Sequence, residues 1–395
     1  MMDKLDALRD WLVRTAGTEW FWFAKRLSAN DTGLTGAHQV GFYVPRDFAL
    51  AVAPELARPI PNPRRVVRFK LMSHDQESKP NLIYYNSRVL TARRNGRNEF
   101  RVTGFGGRRS ALQDQNSTGA ILVTAWNTTT PSNVEAWLAE TVEEEEAIES
   151  ALGPVEPGTQ VLRLPGLTGK LELTVAAQIG CEPDISELPA PWSRRFPVGE
   201  ELTEEAVRRR PGTGQTPDFR LVERYACEYG LFRVVEAHDV LPSITGGFRT
   251  VDGFLSVAQR VANRRKSRAG RSLELHLAKI FDEEGVTYDA RPATEANRRP
   301  DFVFPSIAAY RLGRQARMLG AKTSVRERWR QVLDEAARIP DKHLFTLSEG
   351  VSPGQFAQME ESRITLVVPE GNLPKFPLEI RPKLMTLASF VGLVR

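Results

Sequence analysis

The sequence of 395 residues contains little cysteine, little histidine and no long apolar run. Its two cysteines, Cys181 and Cys227, are too few for a disulfide framework or a four-thiolate zinc site. The five histidines show no ligand spacing with these cysteines, which argues against a zinc role. No window approaches roughly 18 uninterrupted apolar residues, so a transmembrane helix is excluded. The charged N-terminal residues also lack the apolar core of a secretory signal. These absences predict a cytoplasmic protein with no membrane partner.

Charge is present in both signs but is unevenly distributed. Lys and Arg number 54 against 49 Asp and Glu, which gives a formal charge of +5. Between Arg58 and Arg109, basic residues outnumber acidic ones thirteen to three. Between Arg260 and Ser272 there are six basic residues and no acidic one. Such clustering predicts two surfaces that bind a polyanion such as nucleic acid. The alternative is that both stretches are solvated charged faces without a partner.

Residue patterns divide the chain into two halves of different character. Short apolar runs separated by Gly, Pro and Asn fill the first 175 residues and predict a β-barrel or sandwich, with helices at 4–16 and 134–151. A proline-rich stretch up to residue 204 predicts a linker. Beyond it, patterns alternate between helix and strand, as in an α/β domain. The predicted helices are 217–240, 250–264, 272–285, 324–339 and 353–360, and the predicted strands are 301–304, 316–321, 343–347 and 364–368.

The second half contains three residues whose types suit metal-dependent phosphodiester cleavage. Asp301 opens a predicted strand, and Lys322 ends the next apolar stretch. Glu335 lies on a predicted helix that begins near Ser324, on the face that also carries Arg328 and Gln331. Carboxylates hold Mg²⁺, a bound cation activates water, and a lysine stabilises developing negative charge. The pattern therefore indicates a nuclease site.

This three-residue pattern is not specific by itself. Nuclease sites usually carry an acid two residues before the lysine, and Gly320 stands there in this chain. The alternative is that Asp301 caps a turn, Lys322 is a surface lysine and Glu335 forms a helix salt bridge.

Longer runs of residues resemble the EcoRII-type restriction endonuclease family. They occur in order along nearly the whole chain and include AKRLSANDTG (24–33), GAHQVG (36–41), IYYNSR (83–88), SALQD (110–114), NRRKSRAGRSLELHL (263–277), RPDFVFPS (299–306), HLFTLSEGVS (343–352) and TLVVP (365–369). Runs of this length are far more specific than a three-residue catalytic pattern.

The resemblance implies a fold, an activity and partners. Residues 1–178 would form a B3-like β-pseudobarrel that binds DNA as an effector, 179–204 a linker, and 205–395 a PD-(D/E)XK nuclease domain of the α/β class. The chain would be a homodimeric, Mg²⁺-dependent type II endonuclease that cuts double-stranded DNA, is activated by an effector site, and works beside a cognate DNA methyltransferase. In this family the second carboxylate has moved from the position before the lysine to the following helix. Asp301, Lys322, Glu335 and Glu274 match the catalytic set, with Asp301 and Glu335 as the metal ligands.

The resemblance also suggests which residues read DNA. In the basic segment before Glu274, the candidates are Arg265, Lys266 and Arg268, since arginine pairs with guanine in the major groove. In the N-terminal half, two arms would clamp the groove, one with His38 and Tyr43 and the other with Arg97, Asn98, Glu99 and Arg101. Alternatively, the basic residues neutralise phosphates without reading bases, and His38 and Tyr43 are core residues.

The second arm departs from the family pattern. Phe100 replaces a usual basic residue, Gly104-Phe105 replaces an Arg-Trp pair, and the loop 90–96 is longer. These changes suggest a CC/GG-containing site related to, but not the same as, the CC(A/T)GG site of the family.

Two other functions are alternatives to the endonuclease. One is a non-catalytic sequence-specific DNA-binding protein with a decayed nuclease fold, although Asp301, Lys322 and Glu335 are all present. The other is a repair nuclease, which would not need the N-terminal arms.

Overall fold

The computed structural model describes residues 3–36, 40–91, 97–164, 181–326 and 328–395. It divides into two compact units. One is Met1–Val175 with Ser348–Ala357 and Pro374–Arg381, and the other is Ala176–Leu347 with Gln358–Leu373 and Pro382–Arg395. Among the described helices, none combines the length and the hydropathy needed to cross a bilayer.

The N-terminal half is built from short strands, as its apolar runs predict. The strands are β1 (Trp20–Arg26), β2 (Gly41–Val44), β3 (Arg64–Val66), β4 (Arg68–Leu71), β5 (Gln76–Ser78), β6 (Asn81–Tyr85), β7 (Glu99–Thr103), β8 (Ile121–Asn127), β9 (Asn133–Leu138) and β10 (Gln160–Arg163). They form one sheet in the order β10-β1-β8-β9-β4-β5 and another in the order β2-β7-β6-β3. The helices are α1 (Lys4–Arg14), α2 (Arg46–Val52), α3 (Ser87–Thr91) and α4 (Val142–Leu152).

Strand β1 shows how this half buries both faces of its larger sheet. Phe23 belongs to the aromatic core shared with the second sheet, whereas its neighbours Trp22 and Ala24 pack with α1 and α4 on the opposite face. Successive strand residues point to opposite faces, so the continuous apolar run reflects burial on both sides.

The predicted helix 134–151 is wrong in its first part. Val134 and Ala136 enter the aromatic core and Trp137 enters the opposite cluster, so the segment is a strand, β9. Helix α4 begins later because Thr141 and Glu144 form a reciprocal capping box.

The C-terminal half combines long helices with a mixed sheet. Its helices are α5 (Gly199–Arg209), α6 (Pro217–Thr245), α7 (Val251–Glu283), α8 (Ile307–Arg311), α9 (Pro353–Glu361) and α10 (Leu387–Val394). Its strands are β11 (Asp289–Ala290), β12 (Phe302–Phe304), β13 (Arg317–Lys322), β14 (Lys342–Thr346), β15 (Ile364–Val368) and β16 (Met385–Thr386), and they lie in sequence order. Pairing is antiparallel from β11 to β13 and parallel from β13 to β16. The predicted α/β architecture and all four predicted strands of this half are confirmed.

Three segments of this half differ from the sequence prediction. The separate helices 250–264 and 272–285 are one helix, α7, because the basic segment between them contains no proline and continues the helix. The described residues of 324–339 contain a 3₁₀ helix, Arg328–Val332, and no α-helix, so Arg328, Gln331 and Glu335 do not share an α-helical face. The chain turns at Ala336, which has a left-handed φ of 47°.

The proline-rich stretch predicted as a linker is packed where the structure describes it. Trp192 and Leu188 are buried against Leu202 of α5 and residues of α6. Cys181 forms a disulfide with Cys227 of α6, a single crosslink that the low cysteine content did not suggest. Gly230 permits the approach, since a Cβ there would lie 2.4 Å from the Cys181 carbonyl oxygen.

Candidate active site and DNA-reading residues

Asp301 and Lys322 meet where two neighbouring strands place them. Asp301 immediately precedes β12, which pairs antiparallel with β13, and Lys322 ends β13. The buried Asp301 carboxylate accepts hydrogen bonds through Oδ2 from the Ala321 backbone N–H at 2.7 Å and from Lys322 Nζ at 3.2 Å. The alternative of an isolated turn cap and a surface lysine therefore does not describe these residues.

The packing around Gly320 explains why no acidic residue stands two positions before Lys322. A Cβ at this position would lie 2.9 Å from Val332 Cγ2 and 3.5 Å from Leu344 Cδ1. The first distance is closer than packed atoms tolerate. Val332 thus occupies the space into which a side chain at position 320 would extend.

Glu335 supplies a second carboxylate from the turn that follows Val332. Its desolvation raises its pKa to about 7, while the Lys322 ammonium opposes this rise and the Asp301 carboxylate adds to it. Its Oε2 atom is buried and has no hydrogen-bond partner among the described residues. A buried carboxylate oxygen without a donor is an acceptor available to a cation.

Glu274 on α7 is the fourth member of this group. Its side chain is 13% exposed, and Arg271 Nη1 lies 3.1 Å from its Oε2. Burial and the negative charge of Asp301 raise its pKa, whereas Arg291, Arg271 and Lys322 lower it. The structure therefore brings all four residues of the predicted catalytic set into one electrostatic environment.

The oxygen donors of this cluster are suited to a hard divalent cation. Asp301 and Glu335 are carboxylates near a lysine, and Glu335 presents an unsatisfied oxygen. Within the described part of the chain, no group of three or more His, Cys, Asp or Glu side chains is arranged to hold a metal. The residues fit a site with few protein ligands, as Mg²⁺ sites commonly have.

The basic segment of α7 is largely neutralised by acidic residues of α6. Arg265 donates to Glu236 through Nε at 3.0 Å and Nη2 at 2.6 Å. Arg268 is buried, lies 2.9 Å from Glu228 and stacks 4.1 Å from the Tyr229 ring centre. Lys266 is exposed. To contact a base, Arg268 would have to leave its carboxylate, whereas the Lys266 side chain is already exposed to solvent.

The N-terminal candidates lie mainly on paired strands β2 and β7. Tyr43 is half-buried opposite Arg101, and the buried Arg101 donates to the Gly41 carbonyl oxygen. Asn98 accepts a 2.7 Å hydrogen bond from the Tyr84 hydroxyl. Arg97 and Glu99 are the more accessible pair, with side chains 51% and 30% exposed. His38 lies outside the described residues.

Two of the residues that suggested an altered recognition site, Phe100 and Phe105, are core residues in this structure. Phe100 is buried and stacks on Tyr84 with ring centres 4.2 Å apart. Phe105 is buried between Phe42 and Phe69. Phe100 and Phe105 thus contribute to core packing, whereas Gly104 is exposed, and the altered recognition site stays a prediction. Residues 92–96 of the longer loop lie outside the described part.

Two residues near the carboxylate cluster were not found from the sequence. Lys342 begins β14 and contacts the backbone of the Glu335 turn. Arg291, which has a left-handed φ of 51°, lies 3.9 Å from Glu274. Neither residue belongs to a motif, and both reach the site through tertiary packing.

Comparisons with known proteins decide the family. The family described as "EcoRII C terminal" matches residues 232–391, and "Restriction endonuclease EcoRII, N-terminal" matches residues 16–166. The type II restriction enzyme EcoRII of Escherichia coli is 39% identical over 400 residues, which cover 98% of this chain and 97% of that enzyme. The chain belongs to the EcoRII family of type II restriction enzymes. The resemblance drawn from the sequence is thereby confirmed over both halves.

One further restriction enzyme and two solved structures match parts of this EcoRII-family chain. The type II restriction enzyme SsoII of Shigella sonnei is 29% identical over 114 residues, or 26% of this chain and 37% of that enzyme. A complex of metal-depleted Ecl18kI with uncleaved, modified DNA aligns with a TM-score of 0.43 and 18% identity over 50% of this chain and 78% of that one. A complex of PspGI with substrate DNA aligns with a TM-score of 0.42 and 16% identity over 54% of this chain and 96% of that one.

Proposed function

We propose that this EcoRII-family enzyme is a Mg²⁺-dependent endonuclease that hydrolyses phosphodiester bonds in double-stranded DNA at a short CC/GG-containing site. The observation that carries the proposal is the convergence of Asp301, Lys322, Glu335 and Glu274 in one charged cluster. Grouping three carboxylates does not stabilise the fold, since like charges repel and raise one another's pKa. The grouping is therefore better explained by function.

The residues of the cluster divide the work of hydrolysis. Asp301 and Glu335 would hold the Mg²⁺ ion, which when bound acidifies a water and polarises a phosphoryl oxygen. Asp301 also accepts from the Lys322 ammonium and so orients it. Lys322 would donate to a non-bridging phosphate oxygen as negative charge develops there. Glu274, with its raised pKa, would accept or hold a proton at the edge of the site.

The two halves of the chain would have different tasks. Residues 1–178 would form a B3-like effector domain, joined through 179–204 to a PD-(D/E)XK nuclease domain at 205–395. Arg97, Glu99 and Tyr43, together with His38, Asn98 and Arg101, would contact an effector copy of the site, and Lys266, with Arg265 and Arg268, would contact the cleaved copy. The enzyme would act as a homodimer in the cytoplasm, beside a methyltransferase that protects host DNA.

Digestion of a fully sequenced phage DNA with and without Mg²⁺ tests the proposal. The wild type and Lys383→Ala, which changes an exposed lysine paired with Glu360, should give the same discrete fragments. Lys322→Ala should lose at least about 100-fold in rate, as when one donor to a developing charge is removed. Sequenced fragment ends would give the site. DNA binding without cleavage, even with added duplex effector oligonucleotides, would instead support the non-catalytic DNA-binding protein.

A further inference from the structure

Glu335 lies in a turn with a backbone conformation that is unfavourable for its sequence. The turn leaves the 3₁₀ helix Arg328–Val332, and the Glu335 N–H donates to the Val332 carbonyl oxygen at 3.2 Å. Ala336 then adopts a φ of 47° while fully buried. Left-handed backbone is costly for a residue with a Cβ, so surrounding contacts must hold the turn.

Lys342 provides such contacts from the first position of β14. Its ammonium donates to the carbonyl oxygen of Glu335 and, at 3.1 Å, to that of Ala336. The lysine is only 5% exposed, and a buried ammonium needs acceptors of this kind. These two carbonyl groups precede and follow the Ala336 Cα atom. This one side chain therefore restrains the backbone on both sides of the left-handed residue.

The ammonium contacts the backbone of Glu335, and the Glu335 Oε2 atom has no hydrogen-bond partner among the described residues. A lysine at this position could have formed a salt bridge that occupied the Glu335 carboxylate oxygens. Instead the turn is fixed while the carboxylate oxygen stays available. The far side of the turn is fixed separately, because the Arg338 N–H donates to the Tyr310 hydroxyl at 3.3 Å.

We propose that Lys342 is a positioning residue that holds the Glu335 turn in the conformation needed to bind the divalent cation. The inference rests on the proposed function, in which Glu335 is a metal ligand. Residues that orient metal ligands typically change metal affinity 10- to 100-fold when they are replaced. Lys342 would thus act on metal binding and not on DNA binding.

The test compares Lys342→Met with Lys342→Arg, with Lys342→Met combined with Ala336→Gly, and with Lys383→Met as the matched exposed control. Mg²⁺ binding to each full-length protein is measured by titration calorimetry, and DNA affinity is measured in EDTA. Lys342→Met should weaken Mg²⁺ binding at least about tenfold and leave metal-free DNA affinity unchanged. Lys342→Arg should restore most of the affinity, and Ala336→Gly should restore part of it, because glycine adopts left-handed backbone without strain.

Mg²⁺ affinity in Lys342→Met within about twofold of the wild type, against the tenfold expected, would overturn the inference, as would an equal loss in Lys383→Met. If Lys342→Met does not fold, the double variant Lys342→Met, Ala336→Gly is compared with Ala336→Gly alone by the same criteria. Glu335→Gln separates the two levels of the argument. A Glu335→Gln enzyme that cleaves normally would refute Glu335 as a metal ligand. An inactive Glu335→Gln enzyme, together with wild-type Mg²⁺ affinity in Lys342→Met, would refute the positioning role alone.

Discussion

Replacing Glu335 with glutamine should abolish cleavage and yet stabilise the metal-free protein above neutral pH. Burial raises the pKa of this carboxyl from its usual 4.5 to about 7. The folded protein therefore binds the proton more tightly than the unfolded chain does. Its stability falls as pH rises from about 4.5 to about 7 and stays low above that window. Glutamine is neutral throughout and avoids this loss.

The size of the effect follows from the raised pKa. One pKa unit corresponds to about 1.4 kcal/mol, so the rise to about 7 gives an upper limit of about 3 kcal/mol. Glu335 is partly exposed, and solvent screening reduces the expected gain to about 1–2 kcal/mol. For a domain of this size, that gain corresponds to a melting temperature higher by roughly 2–8 °C.

Thermal unfolding in EDTA between about pH 4 and pH 9 measures the difference directly. Glu335→Gln and wild type should melt together at the acid end and separate as pH rises, with a plateau above about pH 7. Glu360→Gln makes the same chemical change at an exposed salt bridge and serves as the matched control. A difference that is independent of pH, or a less stable Glu335→Gln at pH 8, would refute the account of this buried carboxylate.

Outcomes are also expected for four further variants. Gly320→Ala should lower the urea midpoint by an amount equivalent to about 1–3 kcal/mol, because its Cβ meets a side chain at 2.9 Å; an unchanged midpoint would mean that the site has spare room. Cys227→Ala should cost about 3 kcal/mol under oxidising conditions, and dithiothreitol should reproduce this loss in the wild type but not in the variant; equal melting with and without reductant would show that the Cys181–Cys227 bond does not form. Arg268→Ala should destabilise the protein by about 3–5 kcal/mol, because the buried Glu228 carboxylate loses its arginine partner. Lys266→Ala should weaken DNA binding without changing the melting temperature. Weaker DNA binding in Arg268→Ala at an unchanged melting temperature would instead place Arg268 on the DNA.

The strands of the C-terminal half were predictable because their signal is local. Each is a short apolar run bounded by polar or turn residues, and burial on both faces produces such a run. The same signal placed Asp301 and Lys322 at strand ends. Their contact follows from the antiparallel pairing of β12 and β13, which needs no long-range information beyond strand order.

The neutralisation of the basic segment was not predictable from its charge. The number of arginines in α7 predicts a polyanion-binding surface. The acidic residues that pair with these arginines lie on α6, 25 to 40 residues earlier in the sequence. Glu228, Glu236 and Asp239 recur at spacings that fall on one side of a helix. Packing two antiparallel helices would have placed them opposite Arg268, Arg265 and Arg264, so the missing information was the helix pairing.

The turn that carries Glu335 escaped prediction for a related reason. Residues 324–339 have good helix formers, and helical propensity alone favours an α-helix. The contacts that override it come from other elements: Val332 packs on Gly320 of β13, and Lys342 of β14 bonds the carbonyls of the turn. Propensity is a weak prior that tertiary contacts overrule, and here those contacts converge on one proposed ligand.

The absence of an acid at position 320 and the presence of one at position 335 therefore have a common structural cause. Val332 packs against Gly320 with its methyl groups where a side chain from β13 would lie, and the chain that delivers Val332 continues directly into Glu335. An acid at position 320 and the observed packing of Val332 are mutually exclusive, since both need the same volume. Introducing Gly320→Glu into Glu335→Gln should not restore cleavage unless Val332 is also reduced to alanine. Restoration without that third change would show that the two positions are independent, which the geometry does not allow.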